Sequence, residues 1–257
     1  FELNTHFNTQ LSKKWSSSLF LHANTRVSEM DQNKDGFLDN PLAKQINVMN
    51  RYQYYDAESG LVSFINFRYM NDKKQSGEVG FDTEKDKGTT NKWGSEINTQ
   101  RLDLATKVGY VFKDMPFQSI GFQNAFTLHN QNSYYGLNVY DIKQNSFYSN
   151  LIFNSIINNT KHKFATGINF AYDNYNEFVG LTDYGRVDNS VGTFFEYTYD
   201  NDDNFSLVLG GRVDNHNRLG TFVTPRLHLR YNPWEKSVLR FSVGRGKRAA
   251  NIFAENQ

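Results

Sequence analysis

The sequence predicts an all-β protein, specifically a segment of an antiparallel transmembrane β-barrel. Three observations support this fold class. Apolar and polar residues alternate along most of the chain, the alternating runs are long, and Tyr and Trp recur near their ends. Alternation with a period of two places each set of side chains on its own face of a strand. Alternating segments of about ten residues, flanked by interfacial aromatic residues, are typical of outer-membrane barrels.

Composition narrows the alternatives. The 257 residues include 28 basic and 27 acidic side chains, and this near-balance argues against a nucleic-acid partner. There is no cysteine, which excludes disulfide scaffolds, thiolate metal sites and cysteine nucleophiles. The mean hydropathy is −0.67, and no apolar run reaches the roughly 20 residues of a membrane-spanning helix. Aromatic residues nevertheless make up 16% of the chain, which is too many for a disordered segment.

The clearest alternation runs from Val223 to Tyr231. Its odd positions are Val, Pro, Leu, Leu and Tyr, and its even positions are Thr, Arg, His and Arg. We therefore expect Leu229 to face lipid and Arg230 to face the barrel interior. The same argument predicts twelve strands in all, near 2–11, 15–26, 45–56, 61–71, 95–113, 117–130, 140–157, 163–174, 190–200, 205–214, 221–232 and 237–246.

Short turns and longer links alternate between these strands. The longer links are 27–44, 72–94, 131–139 and 175–189. In outer-membrane barrels the short turns face the periplasm and the long loops face the exterior. The chain opens directly in a strand-like run without an initiator Met, so we expect residues 1–257 to be an internal segment of a longer barrel domain.

A soluble β-sandwich or propeller is the alternative fold, because alternation also occurs there. The predicted strands are longer than the usual five or six residues. One face of each strand carries many charges, and the aromatic residues at the strand ends suit the two membrane interfaces. These features favour the membrane barrel.

The C-terminal third resembles a known family. The run 210–214 reads Gly-Gly-Arg-Val-Asp, and 224–227 reads Thr-Pro-Arg-Leu. Together with the run 242–256, they resemble strands and a loop of TonB-dependent outer-membrane receptors. Two positions depart from the family's loop pattern, because Lys247 replaces an aromatic residue and Ala250 replaces a proline. Direct matches cover about the last fifty residues, and elsewhere the likeness lies in the strand rhythm.

The resemblance implies a 22-stranded barrel in the outer membrane of a Gram-negative bacterium, with the protein's own plug domain inside. The implied function is import of a scarce large solute, a ferric siderophore or cobalamin, powered by the TonB complex. The implied partners are outer-membrane lipid, the plug, TonB and the metallophore or other small-molecule substrate. The plug, the TonB-engaging segment and the closing strand are not in this sequence.

Other functions stay open at this point. A receptor of the same family for glycans or peptides is one, and a passive porin or adhesin barrel is another; a plug domain would separate a receptor from a porin. The sequence contains no nucleophile elbow and no phosphate-binding loop, so we predict that it is not an enzyme.

One motif predicts a calcium site in an outer loop. Its oxygen ligands are Asp31, Asn33, Asp35 and Asp39, with a glycine at the sixth position. Leu42 stands where a calcium loop needs a bidentate Glu, so further oxygens would have to come from a neighbouring loop. Cobalamin transporters of the resembled family carry calcium in outer loops. The alternative is a solvated turn of Asp, Asn and Gly.

Two groups of residues are candidates for contacting substrate. Cations of the predicted inner face could steer an anionic chelate, although they could also pair with neighbouring strands or the plug. Aromatic residues of the outer loops could form a recognition rim, or they could belong to the interfacial girdle. The candidates are Arg226, Arg230, Trp93, Tyr134, Tyr135 and Tyr184.

Overall fold

A single antiparallel sheet contains every strand in residues 1–250, the part of the chain that the computed structural model describes. Twelve strands follow chain order, and the two-residue β9 pairs with β8 beside this path. No helix in residues 1–250 has the length and apolar character needed to cross a membrane. The strands are β1 Glu2–Gln10, β2 Trp15–Arg26, β3 Leu42–Asp56, β4 Leu61–Gly77, β5 Gly94–Val111, β6 Ser119–Tyr135, β7 Asn138–Ile157, β8 Asn159–Val179, β9 Thr182–Asp183, β10 Arg186–Asp200, β11 Phe205–His216, β12 Gly220–Trp234 and β13 Ser237–Gly244.

The connections define two ends of the sheet. Loops 27–41 and 78–93 lie at one end, which we call the loop end, and the connections at the opposite, turn end are shorter. The expected meander of long strands is confirmed, and β9 is the one strand that the sequence did not indicate. It is too short to carry an alternating pattern.

The prediction of long links at 131–139 and 175–189 is wrong. Strands β6, β7 and β8 continue into them, so only 136–137 and 180–185 separate the long strands, with β9 inside the second. Gly136 and Gly180 allow the tight reversals because their φ angles are 59° and 60°. The outer face there includes polar residues such as Asn132 and Asn176, so it no longer carries a continuous apolar row. The backbone ladder needs no apolar face to continue.

The register assigns side chains to an inner and an outer face. Arg226 forms an ion pair with Glu196, although the two lie on β12 and β10 with Gly210 of β11 between them. A hollow on the same face is lined by residues of β8, β10, β11 and β12, so this face is concave and is the inner one. Leu227 lies on the opposite face, directly between Leu209 and Val243.

The outer face carries the apolar residues that a soluble protein would bury. Val223 is 51% exposed and Phe241 is 56% exposed. The buried hydrophobic residues within 1–250 are few: Phe81, Tyr134, Tyr140 and Ile142. The sheet therefore has almost no apolar core, and its hydrophobic surface matches the predicted contact with lipid.

The apolar band ends sharply towards the loop end. Asn71, Gln100, Asn130 and Lys143 are consecutive register partners across β4–β7, and they form one polar row on the outer face. Below this row, the outer face of β4 is mostly apolar from Leu61 to Tyr69. Nine tilted residues span about 20–25 Å, which agrees with the lipid-facing band of outer-membrane barrels.

Aromatic rings cluster on the outer face near the turn end. Trp15 and Tyr54 have ring centroids 5.1 Å apart, and Phe164 and Phe195 stack at 6.0 Å. Rings at this level suit the boundary between hydrocarbon and water.

The assignment of faces predicts the effect of charge on β12. Leu229→Arg should reduce assembly of the full-length protein in the outer membrane, because an arginine that faces lipid costs up to about 2–4 kcal/mol, the value at the bilayer midplane. The folded fraction can be measured by heat-modifiable gel mobility. His228→Arg places the same charge on the inner face and should assemble normally. Normal assembly of Leu229→Arg with failure of His228→Arg would show that the faces are reversed.

Candidate functional site

The strongest candidate site is a hollow of about 450 Å³ on the inner face near the loop end. We call it the inner basin. Side chains from four long strands and from the segment after β13 line it, so it exists only when these strands stand in register. Its charged and aromatic lining includes Tyr175, Asp188, Arg212, Asp214, Arg245 and Lys247.

One wall of the basin is fixed by a buried carboxylate. Glu177 is fully buried, accepts a hydrogen bond of 3.1 Å from the Tyr140 hydroxyl and forms an ion pair with Arg186. The guanidinium of Arg186 also lies 4.0 Å from the ring centroid of Tyr175. A buried charge is stable only when it is paired and hydrogen-bonded, so this cluster sets how β7, β8 and β10 meet at the loop end.

The acids that line the basin are already engaged. Asp188 accepts a hydrogen bond of 2.7 Å from Nη2 of Arg218, and Asp214 pairs with Arg212 at 2.6 Å. Asp173 accepts a hydrogen bond of 2.9 Å from the Gln144 amide. Asp188 and Asp214 are therefore balanced by arginines, whereas Asp173 bonds only the neutral side chains of Gln144 and Ser146 and is the one acid of the three that keeps its charge.

Two cations of the basin lack an acidic partner within residues 1–250. The Arg245 side chain has no hydrogen bond or ion pair in this range. Lys247 donates only to the Leu219 carbonyl, at 3.2 Å, and its ammonium lies 4.9 Å from the Phe222 ring centroid. The basin therefore has a surplus of positive charge where an anion could enter from the loop end.

The basin continues deeper through a second hollow of about 410 Å³. The two hollows share Arg212, Thr224 and Arg245, and Arg226 lines the second. The predicted residue Arg226 therefore lies on the route down from the basin, although Glu196 already balances its charge. Arg230, four residues further along β12, lies directly opposite Arg240 on the inner face.

The predicted aromatic residues do not form one cluster. Tyr184 lies beside the buried cluster, and its carbonyl accepts a hydrogen bond of 3.3 Å from Arg186. Tyr135 ends β6, on the inner face and away from the basin. Trp93 lies at the loop end against Gly136, and its ring centroid is 6.4 Å from that of Phe37. These three residues share the loop end.

Tyr134 lies on the outer face, beneath loop 78–93. It is 4% exposed, and it is covered by Phe81, with centroids 6.5 Å apart, and by the Lys87 ammonium at 4.7 Å. The loop is held by turns such as the one at Asp82, where the Glu84 and Lys85 N–H groups and the Lys85 amine keep the carboxyl pKa below its ordinary value. A substrate could reach Tyr134 only if this loop moved away.

The predicted calcium ligands form local turns. Asp31 accepts hydrogen bonds from the N–H groups of Asp35 and Gly36, at 3.1 and 3.0 Å. Asp39 accepts one from Gln32 at 2.8 Å, and the Asn33 amide donates to Asp35 at 2.9 Å. No group of three or more His, Asp or Glu residues in 1–250 is arranged to hold a metal ion. These side chains form hydrogen-bonded Asx turns, and the calcium site stays a prediction.

Comparison with known proteins decides the family. Residues 14–257 match the family described as TonB dependent receptor-like, beta-barrel. The chain belongs to this family. It is therefore a segment of a TonB-dependent receptor barrel, and this family consists of transporters rather than enzymes. The end of the sequence motif, 251–256, lies outside the described residues. No curated protein matches the chain in sequence.

Solved TonB-dependent receptors share the fold at low identity. A mutant of the ferric enterobactin receptor PfeA from Pseudomonas aeruginosa has a TM-score of 0.72 at 10% identity, covering 99% of this chain and 42% of its own. The siderophore receptor PirA from the same organism has a TM-score of 0.69 at 11% identity, and the match covers 98% of this chain and 40% of PirA. The alcaligin outer membrane receptor FauA from Bordetella pertussis has a TM-score of 0.70 at 9% identity, and the match covers 94% of this chain and 40% of FauA. This chain spans about 40% of their length.

Several residues in or beside the basin of this TonB-dependent barrel were not singled out from the sequence. Glu177, Arg186 and Asp188 fall in the link 175–189, which was expected to be a loop. A signal was present, because Asp173, Tyr175 and Glu177 continue the inner row of β8 at every second position. The partners of Glu177 could not be found this way, since they come from β7 and β10.

The turn in loop 27–41 gives a test of the calcium prediction. Without calcium, Asp31→Ala should make this loop of the full-length receptor about fivefold more sensitive to protease, because two accepted hydrogen bonds are lost. Asp31→Asn keeps one acceptor and should be intermediate. If the loop binds calcium, calcium should protect the wild type and should protect Asp31→Asn less. Equal cleavage of the wild type with and without calcium would contradict the calcium site.

The buried cluster predicts a local loss of stability. Glu177→Ala removes the carboxylate nearest to Arg186 and leaves it only Asp188, at 3.7 Å. The cost should therefore approach, from below, the roughly 3–5 kcal/mol of breaking a buried pair. Hydrogen exchange should therefore accelerate in 175–188 of the assembled receptor. Tyr140→Phe removes one hydroxyl and should have a smaller effect, about 1 kcal/mol. Wild-type exchange in Glu177→Ala would contradict this role.

Proposed function

We propose that this chain forms part of an outer-membrane importer for a ferric siderophore, with the inner basin as a contact site for the iron chelate. The observation that carries the proposal is the positive surplus of the basin, where Arg245 and Lys247 lack an acidic partner within residues 1–250. Iron(III) chelates built on catecholate or carboxylate oxygens are anionic, so their charge complements this surface.

The comparisons favour a siderophore over cobalamin. The three solved receptors described above are named for siderophores, including enterobactin and alcaligin. Their identity to this chain is 9–11%, so they support the class of substrate only through a common fold.

The predicted substrate residues fit this proposal to different degrees. Arg226 lines the hollow below the basin and is proposed to meet the substrate after its capture. Arg230 and Arg240 form a like-charged pair deeper on the inner face, suited to an acidic group of the plug or of the passing chelate. Trp93, Tyr135 and Tyr184 are proposed as a rim, since aromatic residues favour recognition.

The remaining parts of the mechanism rest on the whole receptor. The plug would fill the barrel interior, and the TonB complex would drive its rearrangement after substrate binding. In this chain the inner charges would guide the chelate and hold the plug. The reaction has no chemical step, because the substrate crosses unchanged.

Uptake by living cells tests the proposal. The full-length receptor is expressed in a strain that lacks its own copy, and cells are given radioactive iron as ferric enterobactin, ferric alcaligin or ferric pyoverdine, or labelled cyanocobalamin. At least one ferric siderophore should accumulate, and only when TonB is present. Arg245→Ala combined with Lys247→Ala should reduce this uptake about tenfold, because two charge-assisted contacts are lost.

The matched control is Lys236→Ala, which removes a cation from the turn between β12 and β13 at the opposite end. It should transport normally. Uptake of cobalamin alone would contradict the siderophore, and uptake that persists without TonB would contradict an energised importer. Normal uptake by the Arg245 and Lys247 double variant would remove the basin from the substrate path.

A further inference from the structure

Three polar residues cross the middle of the lipid-facing surface on β5–β7. Thr106, Asn124 and Ser149 are consecutive register partners on the outer face, and we call them the polar stripe. Asn124 is the middle one of the five outward positions of β6 from Ile120 to Leu128, and the other four are apolar. The stripe therefore lies within the apolar band and not at either membrane boundary.

Apolar side chains surround the stripe on all three strands. The outward residues before and after each of its members are apolar, and they are 37–51% exposed. They are Leu104, Val108, Phe122, Phe126, Phe147 and Leu151. Because hydrocarbon contains no water that could form hydrogen bonds, the polar groups of the stripe must find their partners in protein.

The stripe has no such partner in the described part of this chain. The side chains of Thr106, Asn124 and Ser149 make no hydrogen bond within residues 1–250. An amide group carries two donors and an oxygen with two lone pairs, so rotation of the two adjacent hydroxyls could satisfy only part of the Asn124 amide. An amide that faces lipid without partners is costly.

Other polar side chains of the outer face form hydrogen bonds within the sheet. The Asn50 amide donates to the Ser17 hydroxyl at 3.3 Å, and its oxygen is buried, so no group outside the chain can reach that oxygen. The hydroxyls of Thr166 and Thr193 donate to backbone carbonyls of the adjoining strand, at 2.8 and 3.0 Å. The polar stripe therefore differs from these residues in its missing partners and not in polarity alone.

A second copy of this chain would supply what the stripe lacks. An amide is complementary to itself, because its N–H groups carry partial positive charge and its oxygen carries partial negative charge. Two Asn124 amides that meet across a two-fold axis can form two N–H···O=C hydrogen bonds, as an isologous contact requires. The outer face is convex, so two copies touch along a narrow strip, and three adjacent strands are roughly 10 Å across.

We propose that two copies of this receptor associate side by side in the membrane, with β5–β7 of each at the interface and the Asn124 amides paired across a two-fold axis. The apolar neighbours of the stripe pack around this pair, since packing and hydrogen bonds drive association in lipid. The interface lies on the opposite face from the inner basin, so it is independent of the transported solute.

Single-molecule photobleaching of the full-length receptor in phospholipid vesicles tests this interface. Each copy carries one fluorophore, and the bleaching steps give the fraction of two-copy particles as the protein-to-lipid ratio rises. The wild type should exceed the two-copy fraction expected from random occupancy. Asn124→Leu should assemble normally, because leucine suits the lipid face, but it should weaken association about tenfold, since two hydrogen bonds of modest strength in lipid are lost. Asn124→Gln keeps the amide and should weaken association less.

The matched control is Asn50→Leu, which makes the same substitution on the outer face of β3, two strands away from the stripe. It should associate as the wild type does. Random occupancy by the wild type overturns the proposal, and so does undiminished association of Asn124→Leu. An equal loss in Asn50→Leu and Asn124→Leu also overturns it, because that result would indicate only a response to surface polarity. A single-copy wild type that retains a different membrane protein, which Asn124→Leu releases, would assign the stripe to that protein and overturn the pairing of two copies.

Discussion

Hydrogen bonding between neighbouring backbones is the interaction on which the rest of this structure depends. In hydrocarbon an unpaired N–H or C=O group costs several kcal/mol, so a membrane sheet must satisfy its polar backbone groups from strand to strand. Here every long strand from β2 to β12 has a neighbour on both sides. Once the ladder is complete, the side chains are free to be apolar towards lipid and polar towards the interior.

This constraint produces an inverted distribution of polarity. The largest fully buried side chains are Glu177 and Asn169, both on the inner face, whereas Phe241 and Leu239 are more than half exposed on the outer face. The inner wall is therefore built from ion pairs and hydrogen bonds, which act at fixed geometry and leave a few charges unused. The residues that organise the wall and the residues with unpaired charge therefore lie on the same face.

On the outer face, the strand register also determines where the lipid-facing apolar band ends. The row containing Asn71 and Gln100 ends the apolar band, and loop 78–93 folds back over Tyr134 above it. Above the band the outer face includes polar residues and no longer carries a continuous apolar row, while the strands continue. This is why the extensions of β6, β7 and β8 were expected to be loops, and why Tyr134 was expected at an exposed rim.

The sequence by itself determined the fold class, nearly all of the strands, and the faces of residues such as Leu229 and Arg230, because alternation is a local property that needs no knowledge of neighbours. Only the tertiary structure decided that Glu177 meets Tyr140 and Arg186, that Arg226 meets Glu196 across Gly210, and that Asn124 lies between Thr106 and Ser149 on the lipid-facing side. These contacts join strands far apart along the chain. They follow from register and curvature, which no single strand encodes.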